Sequence, residues 1–136
     1  MVGKAVYARL AAVAGVSNLV GTRIYALRLP QDVTYPAIRY QQISAVRESA
    51  MGADTGDVTA RMQVDSFAAT YAGAQALAKQ VRLALARWGG TAGGIVVEHV
   101  FIANELDRFE PEVLEDGTSG VPRVLQDYVV HFEDEA

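Results

Sequence analysis

The side chains with the most chemical potential in this chain fall into three groups. Asp54-Thr55-Gly56 spells the triplet of an aspartic protease. That chemistry needs the aspartate raised at a strand end in an apolar cleft and paired with a second carboxylate. Met51-Gly52-Ala53 precede the triplet and Asp57 follows it, a composition that predicts a turn instead. His99 and His131 form the second group, and they fall in two segments that both read as strands. With no cysteine in the chain and no HExxH pattern, they lack the usual company of a zinc ligand. The third group is acidic: Asp107, Glu110, Glu112, Glu115 and Asp116 crowd into residues 106–120. A calcium loop needs oxygen ligands at regular spacing, which this run lacks, so a solvated charge run is the better reading. The glycine pairs Gly89-Gly90 and Gly93-Gly94 lack a following Gly-Lys-Ser/Thr and come after a helix, the reverse of a phosphate cradle. The expectation is therefore no catalytic set, no cofactor and no metal.

The elements that would hold these residues are organised around 58–88. Val58, Ala60, Met62, Val64, Ser66 and Ala68 alternate with Thr59, Arg61, Gln63 and Asp65, the period of a half-buried strand. Thr70 then stands at an N-cap position. Ala74, Leu77, Ala78, Val81, Ala84, Leu85 and Trp88 recur at spacings of three and four, which predicts an amphipathic helix. Gly89-Gly90 is its expected stop.

Upstream, Val2, Val6, Leu10 and Val13 predict one helix over 2–14, ended by Gly15, with a further turn at 17–20. Arg23-Ile24-Tyr25 is a short strand and 36–48 a longer one. The turn at 51–57 joins that strand to the next as an antiparallel hairpin. If matching faces pair, the pairing sum is even. A sum of 104 puts Tyr40 opposite Val64, Gln42 opposite Met62, Arg39 opposite Asp65 and Gln41 opposite Gln63. Downstream, 95–102 and 124–132 are strands, separated by a long acidic loop at 106–120. The order is α-β-β-β-α-β-β. That is an α+β fold, an antiparallel sheet with a long β-hairpin and two helices mainly on one face.

Composition sets the outer limits. The 136 residues are 51% hydrophobic and 21% charged, enough for one ordered domain spanning 1–136. A net charge of −4 argues against tight binding to the outside of DNA, which needs clustered Lys and Arg. It leaves open a surface that DNA slides past. Without cysteine there is no disulfide frame. No apolar run approaches the roughly 20 residues that span a bilayer, and Arg9 interrupts any signal-peptide core.

An ordered set of segments carries a resemblance. Gly21-Thr22-Arg23-Ile24-Tyr25, Leu29-Pro30-Gln31 and Tyr35-Pro36-Ala37-Ile38-Arg39-Tyr40 come first. Arg61-Met62-Gln63-Val64-Asp65 follows, then Thr70-Tyr71 and the helix with Leu77-Ala78, Val81-Arg82 and Leu85. Together they resemble the tail-terminator, or tail-completion, family of long-tailed phages over almost the whole chain. The 106–120 segment departs from that pattern. The resemblance implies a structural virion protein at the tail–neck junction, assembled in the host cytoplasm. It implies a homo-hexameric ring on the end of the tail tube that stops polymerisation and meets the head connector. DNA would pass through its lumen without specific binding. Another neck protein, a connector or stopper, is the alternative, and a small hydrolase using Asp54 or the histidines a remote one.

Two surfaces are the candidates for contact. The polar sheet face, with Arg39, Gln41, Arg61, Gln63 and Asp65, is either a solvated face with one exposed ion pair or a subunit interface or lumen surface. The loops are expected to reach partners: Glu48, Met51, Asp54 and Asp57 at the hairpin tip, and Phe109, Glu110, Glu112, Glu115 and Asp116 in the acidic loop.

Overall fold

The computed structural model describes residues 2–50, 53–113 and 119–133, with side chains at 49, 50, 53–55, 109–113, 119 and 120 outside the description. The central strand and helix form as their periods require. β3 (Ala53–Phe67) presents Val58, Ala60, Met62, Val64 and Ser66 to the core, all buried. α3 (Tyr71–Leu85) begins at Thr70, whose hydroxyl accepts a hydrogen bond from the Gly73 N–H at 3.0 Å. Its buried stripe, Ala74, Leu77, Ala78, Val81, Ala84 and Leu85, lies against β3 and β6.

The helix stops earlier than the glycines predict. Arg87, not glycine, takes the left-handed backbone with φ 64°. The reason is tertiary: the Arg87 N–H donates to the Val100 carbonyl at 2.7 Å, drawing the chain into the sheet. Gly89 serves a different purpose, because a Cβ there would lie 2.8 Å from the Glu98 carbonyl oxygen. An unexpected edge strand follows, β4 (Gly90–Ala92), antiparallel to β5 (Ile95–Val113). Gly93 and Gly94, at φ 58° and 77°, make the two-residue turn between them.

The N-terminal helix is two helices. α1 (Val2–Ala12) ends at Val13, whose backbone is extended, and α2 (Ala14–Val20) starts beyond it. Gly15 lies inside α2 rather than ending α1. It packs so closely on α3 that a side chain there would collide with the amide of Gln80. The bend lets Val2, Val6 and Leu10 of α1 and Val16 and Val20 of α2 all enter one core with α3.

Among the described residues the sheet has six strands in the order β1-β2-β3-β6-β5-β4, where β1 is Ile24–Ala26, β2 is Ala37–Ala50 and β6 is Ser119–Glu133. It is mixed rather than antiparallel, because β1 runs parallel to β2. The predicted hairpin register holds from Ala37 to Gln42, with Tyr40 opposite Val64 and Arg39 opposite Asp65. A bulge after Gln42 then shifts it by one residue, so Ser44 faces Arg61.

The largest correction concerns 106–120. The expected loop is a second long hairpin: β5 runs to Val113 and β6 starts at Ser119, paired through Arg108–Arg123 and Glu110–Val121. Asp54-Thr55-Gly56 is likewise strand, Asp54 pairing with Ser49, and not a turn. Registry places the two hairpins at opposite ends of the sheet. β3 and β6 pair from Asp57–Glu133 at one end to Phe67–Arg123 at the other. The β2–β3 hairpin continues beyond the first of these pairs, and the β5–β6 hairpin beyond the last.

Candidate functional site

Among the described residues, all three helices cover one face of the sheet and leave the other face open. The strand registers lay its residues out in rows running β2, β3, β6, β5. Ala37, Phe67, Arg123 and Arg108 form one row, and Arg39, Asp65, Leu125 and Leu106 the next. Gln41, Gln63, Asp127 and Asn104 follow, then Ser44, Arg61, Val129 and Phe101. Val46, Thr59, His131 and His99 make the last. The five sequence-predicted residues of the polar face are therefore brought together on it.

Their chemistry differs from a solvated face with one exposed pair. Asp65 is 1% exposed. It pairs with Arg39, whose Nε donates at 3.0 Å and whose second nitrogen also bonds the same oxygen. Arg123 lies 3.8 Å from that oxygen, and Gln63 Nε2 donates to both carboxylate oxygens at 3.2 and 3.3 Å. Both guanidinium groups also sit over the Phe67 ring, 5.3 and 5.7 Å from its centre. One buried carboxylate thus organises two arginines, a glutamine and an aromatic ring. Arg61 is exposed and reaches Asp127 at 3.4 Å, a surface pair of the ordinary kind.

Arg123 is not legible in the sequence as a partner of Asp65, because nothing local links β3 to β6. At the far end, Phe101 from the Ser44 row joins His99 and His131 of the last row, with ring centres 5.8 to 6.5 Å apart. The two histidines do meet, as neighbouring strands allow. The Thr59 hydroxyl lies 3.0 Å from His131 Nδ1, so one imidazole nitrogen is already engaged within the protein. Phe101 is 40% exposed and Val46 66%, so this end of the face shows apolar side chains beside the two imidazoles.

The hairpin candidates divide by their place in the chain. Glu48 is exposed near the end of β2. Asp57 pairs across the sheet with Glu133, and with Glu98 they bring carboxylate oxygens within 4.8 Å of one another. Glu98 and Glu133 are exposed and Asp57 half-buried, and surface carboxylates commonly gather in this way without an ion. Phe109, Glu110 and Glu112 lie on the β5 backbone of the second hairpin, and Asp54 on β3 of the first. Met51, Glu115 and Asp116 lie outside the described residues.

Asp107, expected in a loop, instead anchors the root of the second hairpin. It accepts hydrogen bonds from the Tyr71 hydroxyl at 2.5 Å and the Gln75 amide at 2.7 Å, tying β5 to the first turn of α3. The bond to Asp107 raises the Tyr71 pKa above its ordinary value. Beneath α3, Gln126 is fully buried and donates to the Ala78 carbonyl at 3.1 Å and to Glu105 at 2.8 Å. It accepts from the Tyr128 hydroxyl at 3.0 Å. These bonds tie α3 to β5 and β6 near the root of the second hairpin.

The fold has a counterpart among solved structures. A chain in a structure of the virion of a native gene transfer agent particle shares this fold, with a TM-score of 0.73. The two are 20% identical, and the match covers 95% of this chain and 92% of that one. Residues 4–125 match the model of the tail completion protein gp17 family. The chain belongs to that family, a family of virion structural proteins that act in tail assembly. No curated protein matches the sequence.

Proposed function

We propose that this protein forms a ring on the finished end of the tail tube, stops tube polymerisation and joins the tail to the head connector. The observation that carries this reading is the placement of the two hairpins. A joining piece must present different surfaces along one axis, and here two long hairpins extend past opposite ends of a single sheet. The sheet between them is braced by three helices on one side. One hairpin then meets the tube and refuses further tube subunits, and the other meets the connector.

The chain's partners on this reading are further copies of itself, the tail tube protein and a head connector protein. A hexamer matches the sixfold symmetry that the family resemblance implies. With a net charge of −4, a ring of these subunits repels DNA in its lumen and lets it pass. No helix is long and apolar enough to cross a membrane among the described residues. The protein works at the tail–neck junction of the virion, after assembly in the host cytoplasm.

Trimming each hairpin separately tests the proposal. Replacing residues 48–57 with a two-residue Asn-Gly turn keeps a foldable hairpin, and the β5–β6 hairpin is shortened beyond Arg108 and Arg123 in the same way. One variant is expected to give overlong tubes, and the other tails of normal length that do not join heads, both scored by electron microscopy. Normal length and normal joining in both variants would overturn it. A neck protein seated on the portal rather than the tube would instead give unjoined heads and tails of normal length with either variant.

A further inference from the structure

The two open edges of the sheet are the least explained feature of this fold. Protein sheets normally shield an exposed edge, because its unpaired N–H and C=O groups invite another strand. Here β1 covers β2 only at Ile38, Arg39 and Tyr40, and β4 covers β5 only at Ile95, Val96 and Val97. Beyond these, no strand among the described residues pairs with the outer edge of β2 from Gln41 to Ala50. The same holds for β5 from Phe101 to Val113.

We infer that β2 of one copy pairs with β5 of the next, extending the sheet from subunit to subunit; this rests on the ring reading above and specifies its joint. Strand polarity favours it. β2 and β3 are antiparallel, as are β3 with β6 and β6 with β5, so β2 and β5 run in opposite directions within one subunit. Repeating the subunit in the same orientation therefore sets β5 beside the next β2 as an antiparallel pair, the more stable arrangement.

Charge points the same way. β5 carries Glu98, Glu105, Asp107, Glu110 and Glu112 against Arg108, a net charge of −4. β2 carries Arg39 and Arg47 against Glu48, a net charge of +1. Pairing β5 with a second β5 sets like charges opposite each other, whereas β5 against β2 does not. The joint is thus heterologous, the kind that closes into rings.

The geometry of closure is also reasonable. The middle of the open β2 edge, at Val46, lies level with Thr59. The middle of the open β5 edge, at Asp107, lies level with Ser66 by way of Val124, seven residues further along β3. That is an offset of about 23 Å across four strands that occupy about 19 Å. Closing without a step inclines the strands by roughly 50° to the ring axis, close to the roughly 35–45° of closed barrels. Where β1 ends, a groove of about 460 Å³ lined by Leu27, Tyr40 and Met62 adjoins the β2 edge, with room for an incoming side chain.

The test uses the direction of the backbone groups. Tyr40 accepts from the Leu27 N–H, so its polar groups point outward, away from β3. Following the register through the bulge, the N–H of Ala45 also points outward. Ala45→Pro removes one outward donor without breaking a β2–β3 bond. Expected are a circular dichroism spectrum and melting temperature close to the parent's, and loss of the ring by mass photometry with purified tail tubes present. In parallel, Val46→Cys and Leu106→Cys chains of distinguishable mass are mixed and treated with a short bis-maleimide; the parent has no cysteine to interfere. Cross-links between the two variants are expected. Cross-links only between Val46→Cys chains, or none in an intact ring, would overturn the inference, as would a ring that survives Ala45→Pro. A parent that forms no ring on the tubes would overturn the ring reading itself.

Discussion

Replacing Asp65 by asparagine removes the one negative charge between two arginines. Asp65 is 1% exposed, Arg123 8% and Arg39 about a fifth exposed at its side chain, at 22%. Breaking a buried ion pair from one side costs about 3–5 kcal/mol, because the remaining charge stays desolvated and unpaired. Solvent reaches Arg39, and both guanidinium groups keep the face of Phe67. The lower end, about 3 kcal/mol, is therefore expected for Asp65→Asn. In a chain of this size that lowers the melting temperature by about 10 °C. Arg39→Gln is expected to cost only about 1 kcal/mol, since Arg123 remains 3.8 Å from the carboxylate. Replacing all three, Arg39→Met with Asp65→Leu and Arg123→Met, is expected to recover most of the loss, since no charge is then stranded. Urea denaturation with a shared slope measures each difference. A loss below about 1 kcal/mol for Asp65→Asn would refute the reasoning, and so would equal losses for Asp65→Asn and Arg39→Gln. Either result would mean that water screens the cluster as it does an exposed pair.

Other expectations follow from the same structure. Leu85→Ala is expected to cost about 2–4 kcal/mol and Val81→Ala somewhat less, because both are buried against the sheet; near-neutral denaturation midpoints would contradict the core assignment. Arg61→Glu turns an exposed attraction to Asp127 into a repulsion, so the fold should change by less than about 1 kcal/mol, while light scattering should show a smaller oligomer if this face is the subunit interface or lumen surface. Gln126→Leu leaves the Tyr128 hydroxyl and Glu105 without their buried partner and should cost about 2–4 kcal/mol in thermal melts. Burial, then the charge of Glu105, pushes the Tyr128 pKa far above its ordinary 10.0, and burial raises Tyr40 as well. Above about pH 10 the unfolded state binds fewer protons than the folded state, so stability should fall as pH rises from there, and Tyr128→Phe should flatten that limb.

The features legible in the sequence are those whose cause lies within a few residues. Thr70 caps α3 because its hydroxyl reaches a backbone N–H three residues away. The stripe from Ala74 to Leu85 follows the helical period, and the alternation from Val58 to Ser66 follows the pleat. The β2–β3 pairing was readable from Ala37 to Gln42, because a local hairpin with one buried face admits few registers. The gathering of Arg39, Gln41, Arg61, Gln63 and Asp65 on one face comes from the same parity.

Contacts between distant segments decided the rest. β3 meets β6 at sequence separations of 56 to 76, from Phe67–Arg123 to Asp57–Glu133, and no local pattern marks Arg123 as the second partner of Asp65. The end of α3 depends on a hydrogen bond from Arg87 to Val100, not on the glycines beyond it. Gly15 reads as a helix stop until α3 is present, when it becomes the place where α2 and α3 come close. Most telling is 106–120, where charge, Pro111 and Gly117 signal a loop. Apolar alternation marks a strand only where one face is buried. Here the pairing from Asp107–Val124 through Glu110–Val121 is a ladder of backbone bonds, which leaves no alternation for the sequence to show.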